Sequence, residues 1–456
     1  SVVRAGTSIL GSTLWSQDKG PYLITGDVMV NEGATLTILE GTRVIFLANS
    51  DSTLGGNERY DAELIVKGSL SVVGSEEAPV EFTSSEQSPV PGDWGGIKLE
   101  GGSGSFAHVV VEYSIYGIYG SGLDGSDPMT VESSVIRHNR DYGITNRDGN
   151  GTAKVVIKGT EIVDNPQYGI YGYDDSDFWE ITDNTFKNNG SGGSGSASYL
   201  RNNAGWTITG NTVTENRRGF DFSESQGGNA VFNDNTVTDS VEIAVEINLG
   251  WSDIGAFEIK DNKLKDNGGH GLHIHGSARL VRGNLTITDN EVENNKGNGI
   301  YFKSDGQDRT PVEGNLVFTG NTVKDNTGVG VHFQRNCCGD DSELVRGGVT
   351  FTDNTVTDNG GSGVYFNSRT SGGVTFKDNE VTGNSGSGGH FNYVYGAVEA
   401  TGNVLRDNTG TGLRFHKRDA GAITIKENEV TGGHGDESGI TLYHNGGGNA
   451  QVSANT

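Results

Sequence analysis

Apolar residues alternate with polar ones in short runs along this chain, and Asn or Gly ends each run after three to five residues. Between residues 290 and 408 one such pattern occurs five times. It reads TDN-EVENN at Asn290, TGN-TVKDN at Asn321, TDN-TVTDN at Asn354, KDN-EVTGN at Asn379 and TGN-VLRDN at Asn403. Each Asn is followed two residues later by Val292, Val323, Val356, Val381 or Leu405, and five residues later by another Asn. A second phrase, Gly-apolar-x-Phe, recurs at Gly299–Phe302, Gly330–Phe333, Gly363–Phe366 and Gly412–Phe415. Self-similarity at a fixed short period is the mark of a solenoid.

The runs are too short for helices and have the period of two that strands require. A repeat that returns to the same strand after each circuit builds parallel sheets with one strand per coil. The predicted fold is therefore all-β, a right-handed parallel β-helix with three parallel sheets, the hand following from the crossover rule. Stacked Asn side chains bond to one another in ladders, so Asn184 through Asn428 should stack at a single turn.

Residues 1–105 lack the Asn phrase but keep the strand rhythm in YLITG, DVMVNEGATLTILEGTRVIF, AELIVKGSLSVVG and VEFTSS. They are expected to form an N-terminal cap and starting coils, interrupted by a polar loop near 48–61. Residues 106–456 are expected to continue as regular coils of the same domain, with Ser134 and Thr160 in the Asn place. The last residue, Thr456, falls inside a repeat, which implies that the natural protein continues.

Composition changes this picture little. Gly is 73 of 456 residues and Pro only 7, as tight turns between hydrogen-bonded strands require. A formal charge of −26 argues against nucleic acid as a partner, and no apolar run has membrane-spanning length. The start at Ser1 fits a mature secreted product and equally a trimmed chain; the expected setting is outside the cell or on its surface. The two cysteines, Cys337 and Cys338, are adjacent, so a strained vicinal disulfide, free thiols and an intermolecular bond all stay open.

Spacings between successive ladder Asn residues run from 24 to 33, and the two longest coils are consecutive, 290 to 321 and 321 to 354. Their extra residues follow the third strand, in KSDGQDRTPVEG and QRNCCGDDSELVRGG, which should lie together over one face. That face differs from the Thr, Lys, Glu and Asp of the other two. With Ile300 and Phe302 inward, Tyr301 and Lys303 point outward. Their equivalents are Tyr171 and Tyr173, Tyr199 and Arg201, Asp221, Glu246, His273 and His275, His332, Tyr365, His390, Arg414 and His416. Neighbours in such a row lie about 4.8 Å apart. A row of aromatic and hydrogen-bonding groups suits a polysaccharide.

The early half of the row carries Asp174, Asp175, Asp177, Asp221, Glu224 and Glu246. The later half carries His273, His275, Lys303, Arg335, Arg369, His390, Arg414, His416, Lys417 and Arg418. Positive charge on an acidic protein indicates an anionic glycan, although Asp340 and Asp341 dilute it. Three chemistries fit these residues. Asp221 and Glu246 on adjacent coils suit a retaining glycosidase or a Ca²⁺ site. His273-x-His275 with Glu246 suits a metal. β-Elimination or epimerisation needs a base, an acid and a cation for the carboxylate. His332 or Lys303, Tyr301 or Tyr365, and Arg335 or Arg369 supply them. The catalytic candidates are thus Tyr301, Lys303, His332, Arg335, Tyr365 and Arg369. Substrate-binding candidates are Tyr199, Asp221, Glu246, His273, His275, His390, Arg414 and His416. No cofactor is required, with Ca²⁺ the ion an acid pair would take.

The whole chain resembles the right-handed parallel β-helix superfamily of pectate lyases and polygalacturonases. GFDFS (219–223), AVEIN (244–248), GGHGLHIHG (268–276) and GIYFKS (299–304) are similar in order and spacing to polygalacturonase active-site coils. There His270 would match the family's His and Lys303 its lysine, while Arg218, Glu242 and Ile243 stand where catalytic Asp residues belong. YGYDDSD (171–177) resembles the Tyr-Gly-aromatic-Asp-x-His-Asp motif of mannuronan epimerases, with Ser176 in place of the His. The resemblance implies a secreted protein that binds an anionic polysaccharide and cleaves or epimerises it. The rival class is a non-catalytic adhesin, sheath or surface-layer protein, whose aromatic row would be a self-assembly contact.

Overall fold

The computed structural model describes residues 1–456 except 54, 124, 126–127, 148–152, 174–176, 226–227, 249–253, 277–280, 305–310, 336–342, 420, 434–438 and 445–448. The chain divides into two compact units, Ser1–Asp221 and Phe222–Thr456. Both are parallel β-helices, and among the described residues the only helical element is a short 3₁₀ turn, Gln17–Lys19. No helix is long and apolar enough to cross a membrane.

In the first unit strands begin at Val2–Val3 and follow one another around three parallel sheets. One coil illustrates the register. Lys154–Lys158 pairs with Phe178–Thr182, Glu161–Val163 with Thr185–Lys187, and Tyr168–Tyr173 with Ser198–Asn203. Alternation sends Trp179, Ile181, Phe186 and Ile170 inward, all fully buried. Trp206 stacks on Trp179 in register, so each coil covers the apolar column of the one before it. As expected, Ser134 and Thr160 precede Asn184 in the ladder: Thr160 N donates to Asn184 Oδ1 at 2.9 Å, and Asn184 Nδ2 to Asn211 Oδ1 at 3.1 Å.

The second unit repeats this more regularly. The strands Val349–Thr352, Thr355–Thr357 and Val364–Thr370 pair with Val374–Lys377, Glu380–Thr382 and Gly389–Val394. Phe333, Phe366, Phe391 and Phe415 form a continuous inner stack with centroids 5.1–6.3 Å apart. The Asn ladder runs from Asn235 to Asn455, each Nδ2 reaching the next Oδ1 at 2.7–3.1 Å where both bonds are seen. The Asn five residues on is not a spare polar group, because it builds a second buried ladder. Asn267, Asn295, Asn326, Asn359, Asn384 and Asn408 are joined at 2.9–3.0 Å, matching Asn139, Asn165, Asn189 and Asn216 in the first unit.

The residue before each ladder Asn explains the repeated DN and GN. Asp289, Gly320 and Asp353 have φ of 56°, 67° and 57°, a left-handed conformation that Asp tolerates and Gly adopts freely. This single residue turns the chain so that the next Asn points inward to the ladder. A further column escaped sequence reading. Ile254, Val281, Val312 and Val345 are bridged in parallel, and Thr370, Val394 and Lys417 extend the column. Both long insertions therefore return to the body side by side, at Val312 and Val345. Their centres, 305–310 and 336–342, with Cys337, Cys338, Asp340 and Asp341, lie outside the described residues, as do Asp174 and Asp175.

Candidate functional site

In the second unit the strands Val245–Asn248, Leu272–Gly276, Ile300–Ser304, Val331–Arg335, Val364–Thr370 and Gly389–Val394 lie in one sheet. Register places Glu246, His273, Tyr301, His332, Tyr365 and His390 in a single outward row. The ring centroids from His273 to His390 follow at 5.1, 5.0, 5.1 and 5.1 Å. The sequence places these residues together, and the structure brings them into contact.

How they meet is different from expectation. Tyr301 lies 6° from parallel with His273 and 24° from His332. The faces of Tyr301 are thus taken up by its neighbours, while His332 with Tyr365 and Tyr365 with His390 are tilted at 32° and 51°, and both His273 nitrogens are buried. Tyr301 Oη donates to Gln334 at 3.2 Å. His332 Nε2 is buried without a hydrogen-bond partner among the described residues. Burial, with His270 nearby, lowers the His332 pKa to about 4, so its imidazole is neutral at pH 7. His270 also falls to about 4 through burial and the neighbouring His273. Its Nδ1 accepts the Asn298 amide at 2.8 Å, which fixes the ring to the backbone. Burial raises the Tyr365 hydroxyl above its ordinary value.

The cations are differently arranged from one another. Lys303 is in register with His275 and Gln334. Arg335 donates to the Glu343 carbonyl, so its guanidinium serves the base of the insertion. Arg369, Arg414 and Arg418 lie over the rings of Tyr395, Tyr443 and Tyr393 at 4.3, 4.8 and 5.1 Å. His390 Nε2 is 3.0 Å from Asn392 Oδ1, and His416 sits 5.7 Å from Tyr443. Tyr443 belongs to the outward series read from the sequence, whereas Tyr393 and Tyr395 were not identified from it, and Tyr393 escapes strand alternation because it has φ of 57°.

Two residues assigned to the face belong to the core. Lys417 is fully buried and donates to Asp419 and the Gly396 carbonyl, because it occupies the inward column of Val345 and Val394. Asp177 is also fully buried, accepting from Asn146 Nδ2 at 2.7 Å and Ala153 N at 2.9 Å. The last Asp of the epimerase-like YGYDDSD is thus a structural acceptor, and residues 174–176 lie outside the described ones. The two glycosidase-like acids have other partners. Asp221 meets Arg218 at 3.4 Å in the first unit, and Glu246 meets His275 at 3.1 Å in the second.

The first unit carries its own outward ring cluster. Tyr116, Tyr142, Tyr171 and Tyr199 follow at 5.5, 4.5 and 5.3 Å. The Arg147 guanidinium lies 4.9 Å from Tyr142 and 5.0 Å from Tyr171. Of these, Tyr171 and Tyr199 were placed on the outward face from sequence, and Tyr199 was the substrate-binding candidate. Tyr116 and Tyr142 stand in YGI phrases before the Asn register becomes regular, which is the signal that would have found them.

Family comparison covers most of the chain. The family described as "Right handed beta helix region" matches in overlapping segments from 116–284 to 343–456, and "Pectate-lyase like beta helix domain" matches 8–112. No match was found among curated proteins. Among solved structures, the periplasmic alginate epimerase AlgG aligns with a TM-score of 0.53 at 14% identity, over 74% of this chain and 82% of that one. The Azotobacter vinelandii mannuronan C-5 epimerase AlgE6 A-module gives 0.33 at 14% identity, over 93% and 90%. Alginate lyase from Paenibacillus sp. str. FPU-7 gives 0.21 at 14% identity, over 76% and 99%. At such identities the likeness is one of fold. With its coils, ladders and family matches in agreement, this chain belongs to the right-handed β-helix family.

Proposed function

We propose that the protein binds an anionic polysaccharide along the outward row of its second unit and removes the proton α to a uronate carboxylate, as an epimerase or lyase. The observation that supports this is the unbroken row from His273 to His390. It repeats a tyrosine or imidazole ring at the spacing of successive coils, as a repetitive polymer requires. Arg414 continues it in register with His390, the guanidinium carbons of Arg369, Arg414 and Arg418 lie 4.3, 4.8 and 5.1 Å from tyrosine ring centroids, and planar guanidinium matches carboxylate. His332, neutral at pH 7, is the base, and Tyr301, 5.0 Å away ring to ring, is the acid. Lys303 and Arg369 pair with the carboxylate, whose stabilisation lowers the cost of carbanion formation. AlgG and AlgE6, named for action on alginate and mannuronan, share the β-helix architecture. The setting proposed is outside the cytoplasm, at the cell surface or free.

The test is incubation with uronate and neutral glycans, followed by product sizing, absorbance of unsaturated uronate and epimer ratio. His332→Ala should lose roughly 10²–10⁴-fold in turnover, the usual weight of an acid–base group, while Arg414→Ala should weaken binding. Wild-type protein that binds uronate polymers unchanged would remove the catalytic step. Failure to bind any of them would remove the whole reading and favour the assembly role.

A further inference from the structure

We infer that Glu246, His273 and His275 form a binding site for a divalent transition-metal ion of the zinc class. Glu246 stands on Val245–Asn248 and both histidines on Leu272–Gly276, the adjacent parallel strand, with Glu246 in register with His273 and Asn248 with His275. Strand alternation puts His273 and His275 on the same outward face. One carboxylate oxygen and one nitrogen from each imidazole all lie within 4.8 Å of one another. Glu246 Oε1 is 3.1 Å from His275 Nε2 and 3.7 Å from His273 Nδ1. Zinc bonds of about 2.0–2.1 Å in tetrahedral geometry set donor atoms about 3.3 Å apart. The observed distances bracket that value, so small side-chain rotations close the site.

A second observation concerns His273 itself. Both of its ring nitrogens are buried, and neither has a hydrogen-bond partner among the described residues. Leaving buried polar atoms unpaired costs free energy, and a metal bond to Nδ1 would satisfy one of them. The ring cannot turn away cheaply, since Tyr301 stacks on it at 5.1 Å and His275 lies 4.5 Å off. Such stacking pre-organises a ligand. Two imidazoles and a carboxylate suit zinc, iron, nickel or copper, whereas Ca²⁺ and Mg²⁺ take oxygen ligands. Three protein donors leave a fourth position open for water or a ligand oxygen. The inference rests on this geometry and does not depend on the polysaccharide reading.

Protein stripped with a chelator and titrated with Zn²⁺ by calorimetry should take up one equivalent per chain, and Co²⁺ should give visible absorption of a nitrogen- and oxygen-ligated ion. Loss of an outer-shell partner alone typically costs about 10–100-fold in metal affinity. Glu246→Gln, His273→Ala and His275→Ala should therefore each weaken binding at least tenfold, with His416→Ala unchanged. Thermal melts would show an increase in Tm on adding Zn²⁺ that the three variants lose. Glu246→Gln preserves shape, so its result stands even if a histidine variant folds poorly. Absence of stoichiometric binding, or binding that persists in Glu246→Gln with unchanged affinity, would overturn the proposal.

Discussion

Asn321→Ala should destabilise the second unit by about 3–5 kcal/mol. Asn321 is fully buried. Its Oδ1 accepts the Asn290 amide at 3.0 Å and Asn290 Nδ2 at 2.9 Å. Its Nδ2 lies 2.8 Å from the Ile287 carbonyl, 3.1 Å from Thr319 O and 3.0 Å from Asn354 Oδ1. Truncation does not strand every partner. Asn290 Nδ2 keeps Ile259 O and Thr288 O, and Asn354 Oδ1 keeps the backbone amide of residue 321. The Asn290 N–H loses its acceptor, which costs about 1–3 kcal/mol, and the bonds to Ile287 and Thr319 subtract roughly 1 kcal/mol each when lost. The comparison is Asn315→Ala. Asn315 makes the same kind of bond, to Gly348 N at 2.9 Å, but is exposed, so water replaces it and the change should stay within about 0.5 kcal/mol. Guanidinium unfolding followed by far-UV circular dichroism measures both, and amide exchange should accelerate at Asn290. Equal effects of the two substitutions would refute the claim that ladder bonds gain their weight from burial.

Glu63 is buried, its pKa raised to about 7 by desolvation despite amide bonds from Asn57 and Glu58. A folded pKa above the unfolded value means stability is present at low pH and is lost as pH rises through about 7, by about 3 kcal/mol at most. Glu63→Gln should therefore melt higher than wild type at pH 8 and alike at pH 5; a lower melt at pH 8 would contradict this. His332 and His270 work in the opposite direction. With folded pKa values of about 4, they withhold protons that the unfolded chain binds below about 6.5, so stability falls as pH drops between those limits. His332→Phe should remove roughly half of that acid loss in pH-dependent melts, and an unaltered profile would count against it. Asp419→Ala strands the buried Lys417 ammonium and should cost about 3–5 kcal/mol, whereas Lys417→Met should be near neutral in denaturant titration.

The local pattern alone determined the architecture. Period-two runs fix which residues face inward, and a repeat that returns to the same phrase can stack only as parallel coils. The ladder was legible for the same reason, since every coil presents Asn at one phase. What the sequence left ambiguous was whatever depends on how a side chain is surrounded. Alternation puts Lys417 in phase with Leu413 and Phe415, and Asp177 in phase with Trp179 and Ile181, but their charge argues for an outward place, and only the folded neighbours, Asp419 for Lys417 and Asn146 for Asp177, show how the burial is satisfied. The second Asn ladder had the same visible spacing as the first, yet its burial depends on the left-handed residue before it. The row of His and Tyr was readable as a row. That its rings stack on one another, that His332 is held neutral, and that the two buried His273 nitrogens beside Glu246 have no hydrogen-bond partner among the described residues were decided only in three dimensions. Hydrogen bonding, desolvation and ring contact are set by neighbours from coils 25–33 residues away, and only the folded register specifies which atoms those are.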